Sequence, residues 1–221
     1  MSDLQHMLTF LGQLQANNHK AWMDANKADY QQARSTLLDV AEHLIKHMGS
    51  LDPDVASLTP QSCIFRINRD IRFSKHKAPY KSNMGIYLAK GGRHSGYAGY
   101  YLHLEPDNRS FIGGGLYQPE PAALKRIRQE IDYQAADLNQ ILAEPRFKAL
   151  FGPLQGEKLQ RPPQGYSEDH PQIALLKLKS FTAVHPITDQ AVTQDDFLPY
   201  ALEAFRVMMP LVRFLNTALE D

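Results

Sequence analysis

Residues 97–116 read YAGYYLHLEPDNRSFIGGGL, and this stretch decides the fold. Across its first half Ala98, Tyr100, Leu102 and Leu104 fall on one side, and Tyr97, Gly99, Tyr101, His103 and Glu105 on the other. A period of two is that of a strand with one buried face. Pro106-Asp107-Asn108 follows as a turn, and Ser110-Phe111-Ile112 begins a second strand that runs into Gly113-Gly114-Gly115. Two strands joined by so short a connection pair antiparallel.

Working outward, residues 84–89 read as another strand, with Gly91-Gly92 as a turn. Residues 63–67, rich in β-branched and aromatic side chains, are also expected to be a strand, and residues 178–184 a return strand. Helical spacing governs the ends. Leu4, Met7, Leu8, Leu11 and Leu14 form the stripe of a first helix with Ser2 as its cap. A second helix is expected over 20–48, stopped by Gly49. Pro121 opens a helix with Leu124, Ile127 and Ile131 on its buried stripe. Short helices are expected at 137–142, 145–151 and 171–176, and a long one at 195–219 that Pro210 should kink. Helices, sheet, helices, one strand and a helix make an α+β fold, not repeated parallel units. The expected organisation is one domain over 1–221: a helical part to 60, a sheet-rich core over 61–118, and helices with a return strand beyond.

Composition narrows the classes. A chain of 221 residues with 43% hydrophobic content buries a sizeable core and is not disordered. Its net charge is zero, so nothing global points to nucleic acid. The single cysteine, Cys63, excludes an intrachain disulfide and suits a reducing compartment. No secretory signal or membrane-length apolar run is read in the chain, so the expectation is a cytoplasmic protein that does not enter a membrane.

Charge is concentrated locally. Residues 65–81 read FRINRDIRFSKHKAPYK, setting Arg66, Arg69, Arg72, Lys75, Lys77 and Lys81 against one acid, Asp70. Residues 68–82 have no clean period and are expected to form a long ordered loop, a kind that is often functional. Arginine forks grip carboxylate or phosphate oxygens, and lysines add point charge. Asp70 either orients an arginine or serves as a general acid or base. The alternative is a solvated loop closed by its own ion pair. Gly113, Gly114 and Gly115 permit close backbone approach and an anion cradle, or else mark a tight bend in the sheet. Lys177 and Lys179 are expected on one face of the return strand, enlarging the basic site or blunting an edge.

Metal and nucleophile signatures are weak. His43 and His47 share a helix face, but leucine stands at position 44 where a zinc-protease motif needs glutamate. Asp169-His170 is read most simply as a helix cap, and Cys63 as a small buried side chain. No cofactor or metal is expected.

The segments RDIRFSKHKAPYK, GYYLHLEP, GGGLYQPEP and LQRPPQGYSEDHPQIALLKLKSFT occur in this order between residues 69 and 182. Together they resemble a family of conserved hypothetical proteins, the domain of unknown function 2461. The resemblance implies a small intracellular protein of bacterial or fungal type. It implies no established substrate, cofactor or catalytic residue. It also implies an acidic residue where this chain has His76, and serine where it has Ala78.

The first functional expectation is a module that binds a phosphate-bearing ligand, a nucleotide or nucleic acid. Arg66, Arg69, Arg72, Lys75 and Lys81 would supply charge, and Tyr80 and Tyr101 would stack on a base. The second is an enzyme on a phosphorylated or carboxylated metabolite, with Asp70 as general acid or base. The third is an internal ion-pair network that orders long loops.

Overall fold

The computed structural model describes residues 3–70, 72 and 77–220. The N-terminal helices are α1 (Asp3–Ala16), α2 (Lys20–Ala25), α3 (Lys27–Met48), α4 (Pro53–Ala56) and α5 (Pro60–Cys63). Three strands follow, β1 (Met84–Ala89), β2 (Gly99–Leu104) and β3 (Ser110–Leu116). Then come α6 (Pro121–Tyr133), α7 (Ala135–Ala143), α8 (Pro145–Phe151) and α9 (Ile173–Leu176). The chain closes with β4 (Phe181–Ile187), α10 (Asp189–Val192) and α11 (Phe197–Thr217). This is an α+β fold.

The strands form one antiparallel sheet in the order β1-β2-β3-β4. The hairpin between β2 and β3 turns where Asp107 (φ 66°) and Asn108 (φ 57°) take the left-handed conformation that tight hairpins require. The Asp189 carboxylate on α10 accepts both turn amides, at 2.9 and 3.0 Å, and fastens the turn to the helical side.

Register sends alternate residues to opposite faces. Ile86, Leu88, Tyr100, Leu102, Leu104 and Ile112 are buried against the helices. α11 lies across β2 and β3, and its Phe205 ring meets the Tyr100 ring at 5.4 Å between centroids. Gly114 faces this helix, and a Cβ there would overlap Met208 Sδ and the Gly99 carbonyl. Asn216 of α11 is buried and pairs with the backbone of Ala98, accepting its N–H at 2.8 Å and donating to its carbonyl at 3.2 Å. Tyr100 donates its hydroxyl to buried Asp52 at 2.6 Å.

Three expected elements differ. Residues 63–67 are not a strand. Pro60 starts the short helix α5, and the Ser62 hydroxyl accepts from Thr59 N–H and donates to the Thr59 carbonyl, so the chain is wound up to Cys63. Only Ile64 then bridges to Ile86, with Phe65 N–H donating to the Gly85 carbonyl at 3.3 Å. The helix expected over 20–48 is divided at Asn26, whose N–H and side-chain amide both donate to the Trp22 carbonyl and end α2 there. The return strand begins at Phe181, not at 178. Residues 177–179 instead run beside the 157–159 loop (Leu159 N–H to Lys177 O and Lys179 N–H to Glu157 O, both 2.8 Å). α11 continues through exposed Pro210. The Ser2 cap lies outside the described residues. Among the described residues, no helix is long and apolar enough to cross a membrane.

Candidate functional site

The face of the sheet opposite α11 carries a cleft of about 600 Å³. Strand alternation supplies its walls: Tyr87 from β1, Tyr101 and His103 from β2, Phe111 from β3, Thr182 and Val184 from β4. Phe65, Arg93 and Tyr97 close it from the flanking loops. The rings contact one another. Tyr101 meets Phe65 edge-on at 6.1 Å, Tyr87 at 6.4 Å and Phe111 at 5.5 Å. Glycine makes room: a Cβ at Gly85 would sit 2.6 Å from Tyr101 Oη. Tyr87 donates its hydroxyl to the carbonyls of Tyr97 and Gly115, which locks the ring upright.

The basic stretch leaves the β1 edge as a hairpin. Arg69 N–H donates to the Pro79 carbonyl at 2.9 Å and Lys81 N–H to the Ile67 carbonyl at 2.8 Å. The Asn18 side chain holds the backbone N–H and carbonyl of Tyr80. This pairing brings half-buried Lys81 to the Phe65 wall, while Arg66 and Arg69 are exposed and, with Lys81, do not line the cleft itself. The Lys81 ammonium stands 5.5 Å from the centroid of the Phe65 ring. Burial pushes the Lys81 pKa below the usual lysine range, and the positive charges of Arg66, Arg69 and Arg93 push it the same way. Arg93 is steadied by the carbonyls of Gln61 and Ser62 at the end of α5, at 2.9 and 3.0 Å.

The other expected site residues are placed differently. Asp70 is exposed and held in a two-pronged pair by Arg72: Nε to Oδ1 at 3.0 Å and Nη2 to Oδ2 at 2.6 Å. The Arg72 side chain and its backbone N–H hold the Asp70 carboxyl below the usual carboxylate range, which makes it a weak base. Neither residue lines the cleft. Lys77 is exposed, and Lys75 and His76 lie outside the described residues. Tyr80 is buried in the core, so its ring is not available to stack on a ligand. Gly113, Gly114 and Gly115 lie within β3, paired on both sides by β2 and β4, so their backbone serves the ladder. Gly115 (φ 99°) adopts a conformation that side chains disfavour, and Gly114 and Gly115 lend backbone to the cleft floor. Lys177 follows α9 and pairs with Glu168 at 2.6 Å, and Lys179 pairs with Glu157 at 3.1 Å. Neither contributes to the cleft.

Sequence reasoning passed over His103 and Glu105. His103 projects from β2 on the same face as Tyr101, and Glu105 follows directly after the end of β2. Tyr101 Oη lies 3.0 Å from His103 Nδ1, and His103 Nε2 lies 2.9 Å from Glu105 Oε2. Ser82 donates to Glu105 Oε1 at 2.9 Å, and Arg109 stands 3.3 Å from the same oxygen. The His103 ring stacks on Phe111 at 4.5 Å with an interplanar angle of 11°. The signal was present in the alternation, which put Tyr101, His103 and Glu105 on one face. Tyr97 fell on that face too, whereas Phe65 and Arg93 carried no comparable signal, because loops bring them in. Among the described residues, no group of three or more His, Cys, Asp or Glu side chains is arranged to hold a metal ion.

A family model described as conserved hypothetical protein (DUF2461) matches residues 6–214. The chain belongs to this family. No curated protein and no solved structure matches it.

Proposed function

We propose that the protein binds a planar, phosphate-bearing ligand of the nucleotide class in the aromatic cleft. The observation that carries this reading is half-buried Lys81 standing 5.5 Å from the Phe65 ring of the cleft wall, with Arg93 in that wall and the positive charges of Arg66, Arg69 and Arg93 acting on it. Like charges brought together at a partly desolvated amine cost stability, and an anion arriving there relieves that cost. Phe65, Tyr97 and Tyr101 offer ring faces and edges to a base, a contact worth about 1–3 kcal/mol per base. A cleft of about 600 Å³ matches a single small ligand better than a polynucleotide track. The single, buried cysteine fits the cytoplasmic setting that goes with this reading.

The test is calorimetric titration at low salt with AMP, ATP, adenosine, inorganic phosphate and a short oligothymidylate. Nucleotides should bind more tightly than either half alone. Arg66→Ala and Lys81→Ala should each weaken the nucleotide roughly tenfold or more, the loss expected for a charged hydrogen bond. A steep salt slope with preference for the oligomer would move the reading to nucleic acid. If none of these anions binds at low salt, the reading is wrong.

A further inference from the structure

We propose that the cleft is a catalytic site for phosphate-ester hydrolysis, in which Tyr101 carries the proton and His103 and Glu105 position and charge it. This rests on the ligand reading above, because the cations beside Lys81 would hold the phosphate. It replaces Asp70, whose oxygens are taken by Arg72, with a different group as the proton acceptor.

The hydrogen-bond directions are constrained by chemistry. An ionised carboxylate only accepts, so Glu105 Oε2 takes the proton on His103 Nε2. In the neutral ring Nδ1 then carries a lone pair, and the Tyr101 hydroxyl donates to it. The lone pairs of Tyr101 Oη are left to accept a proton from a group in the cleft, which both Tyr101 and His103 line. The arrangement is held from several sides. Phe111 on β3 stacks on the imidazole, and glycine at position 85 on β1 leaves space for the tyrosine ring. Ser82 and Arg109 hold the second oxygen of Glu105. A base oriented by a third group is the pattern of activated active sites.

Burial favours the neutral forms. It pushes the Tyr101 hydroxyl up to about 12, with the Glu105 charge adding to it. It also pushes the His103 imidazole down, an effect that Glu105 opposes and Arg109 reinforces. At neutral pH the pair therefore stands ready to accept. A water molecule gives its proton to Tyr101 Oη while the tyrosine's own proton passes to His103 Nδ1. Tyr101 stays neutral throughout, and the imidazolium is held by the Glu105 carboxylate. The water oxygen bonds to phosphorus and the bond to the ester oxygen breaks. The proton returns from His103 through Tyr101 to the leaving oxygen. One water is consumed and no oxidant, reductant or second substrate is needed.

The test uses the purified protein with p-nitrophenyl phosphate and bis(p-nitrophenyl) phosphate, which join one and two rings to a phosphate. Binding is read by calorimetry and turnover by nitrophenolate release. The wild type should bind and hydrolyse at least one of them. Tyr101→Phe and His103→Gln should lower kcat by roughly 10²–10⁴-fold with KM little changed, the range for lost proton transfer. Glu105→Gln should lower kcat as well. The acidic limb of the wild-type pH–rate profile should be absent from His103→Gln. The charged groups facing that imidazole are Glu105, just past the end of its strand, and Arg109 in the following turn, so Arg109→Gln should displace the limb. Binding without hydrolysis by the wild type overturns the catalytic proposal and leaves the ligand reading standing. Hydrolysis undiminished in Tyr101→Phe also overturns it. Failure of both probes to bind overturns the catalytic proposal for these esters, while the ligand reading is decided separately by the nucleotide titrations.

Discussion

Tyr100 and Tyr101 are neighbours in β2, yet they belong to different chemistry. Tyr100 points into the core, packs on Phe205 and gives its hydroxyl to buried Asp52. Tyr101 points to the cleft, meets Phe65 and Phe111 there, and gives its hydroxyl to His103. Burial raises both phenols above the ordinary tyrosine range, and Asp52 raises Tyr100 further. The inner face is sealed by a helix and satisfies its polar groups with the protein itself. The outer face keeps a cleft, and Tyr101, His103 and Glu105 form a hydrogen-bonded chain along it. One strand thus separates what stabilises the molecule from what is available to a ligand.

The largest test of that division is Phe205→Ala. Removing a fully buried ring from the α11–β2 contact should cost about 3–5 kcal/mol in urea unfolding. Gly114→Ala, on the same face, should cost about 1–3 kcal/mol, because the new methyl must displace Met208 or the β2 backbone. Tyr100→Phe falls in the same range. It strips a donor from a buried carboxylate and should cost about 1.5–3 kcal/mol by the same measurement. Tyr101→Phe leaves a neutral histidine nitrogen that the open cleft can hydrate, and should cost only about 0.5–1.5 kcal/mol. Equal losses for the two tyrosines would erase the contrast and make the outer face a second structural layer.

The smallest effect is a pH dependence. His103 binds its proton less tightly folded than unfolded. As pH falls below the ordinary histidine value of 6.5, the unfolded chain takes up the proton first. Stability from this group is therefore complete above 6.5 and declines as pH drops through the lowered folded value. Melting curves of wild type and His103→Gln should converge in the acid range and separate toward neutrality. Curves that stay parallel would mean that the imidazole is not desolvated.

Most of the fold was legible because local chemistry and tertiary packing agree. The alternation of residues 98–104 marked β2 and its two faces, and Pro121 and Pro145 marked helix starts. Where a second signal competed, the reading failed. Cys63 and Ile64 have strand-forming side chains, but Pro60 and Ser62 wind that segment first. Leu178 reads as strand, but its carbonyl is taken by Arg128 of α6, at 3.2 Å, from a helix some 50 residues earlier.

The site was legible in part. Local charge density drew attention to residues 65–81; of that group Phe65 lines the cleft and Lys81 stands 5.5 Å from its ring, while Arg66 and Arg69 are exposed and do not line it. Charge density cannot tell which cations are held by carboxylates, as Arg72 is by Asp70, Lys177 by Glu168 and Lys179 by Glu157. The histidines carried no motif, so the partners of His103 went unread.

By itself the sequence determined the class of fold, the strand faces and the cationic segment, because periodicity and composition act over a few neighbouring residues. Tertiary structure alone decided which aromatic rings meet in the cleft, which cations gather round Lys81, and that Tyr80 is core while Tyr101 is cleft. Those choices depend on the distance between residues far apart in the chain, which only the paired strands and the packed helices set.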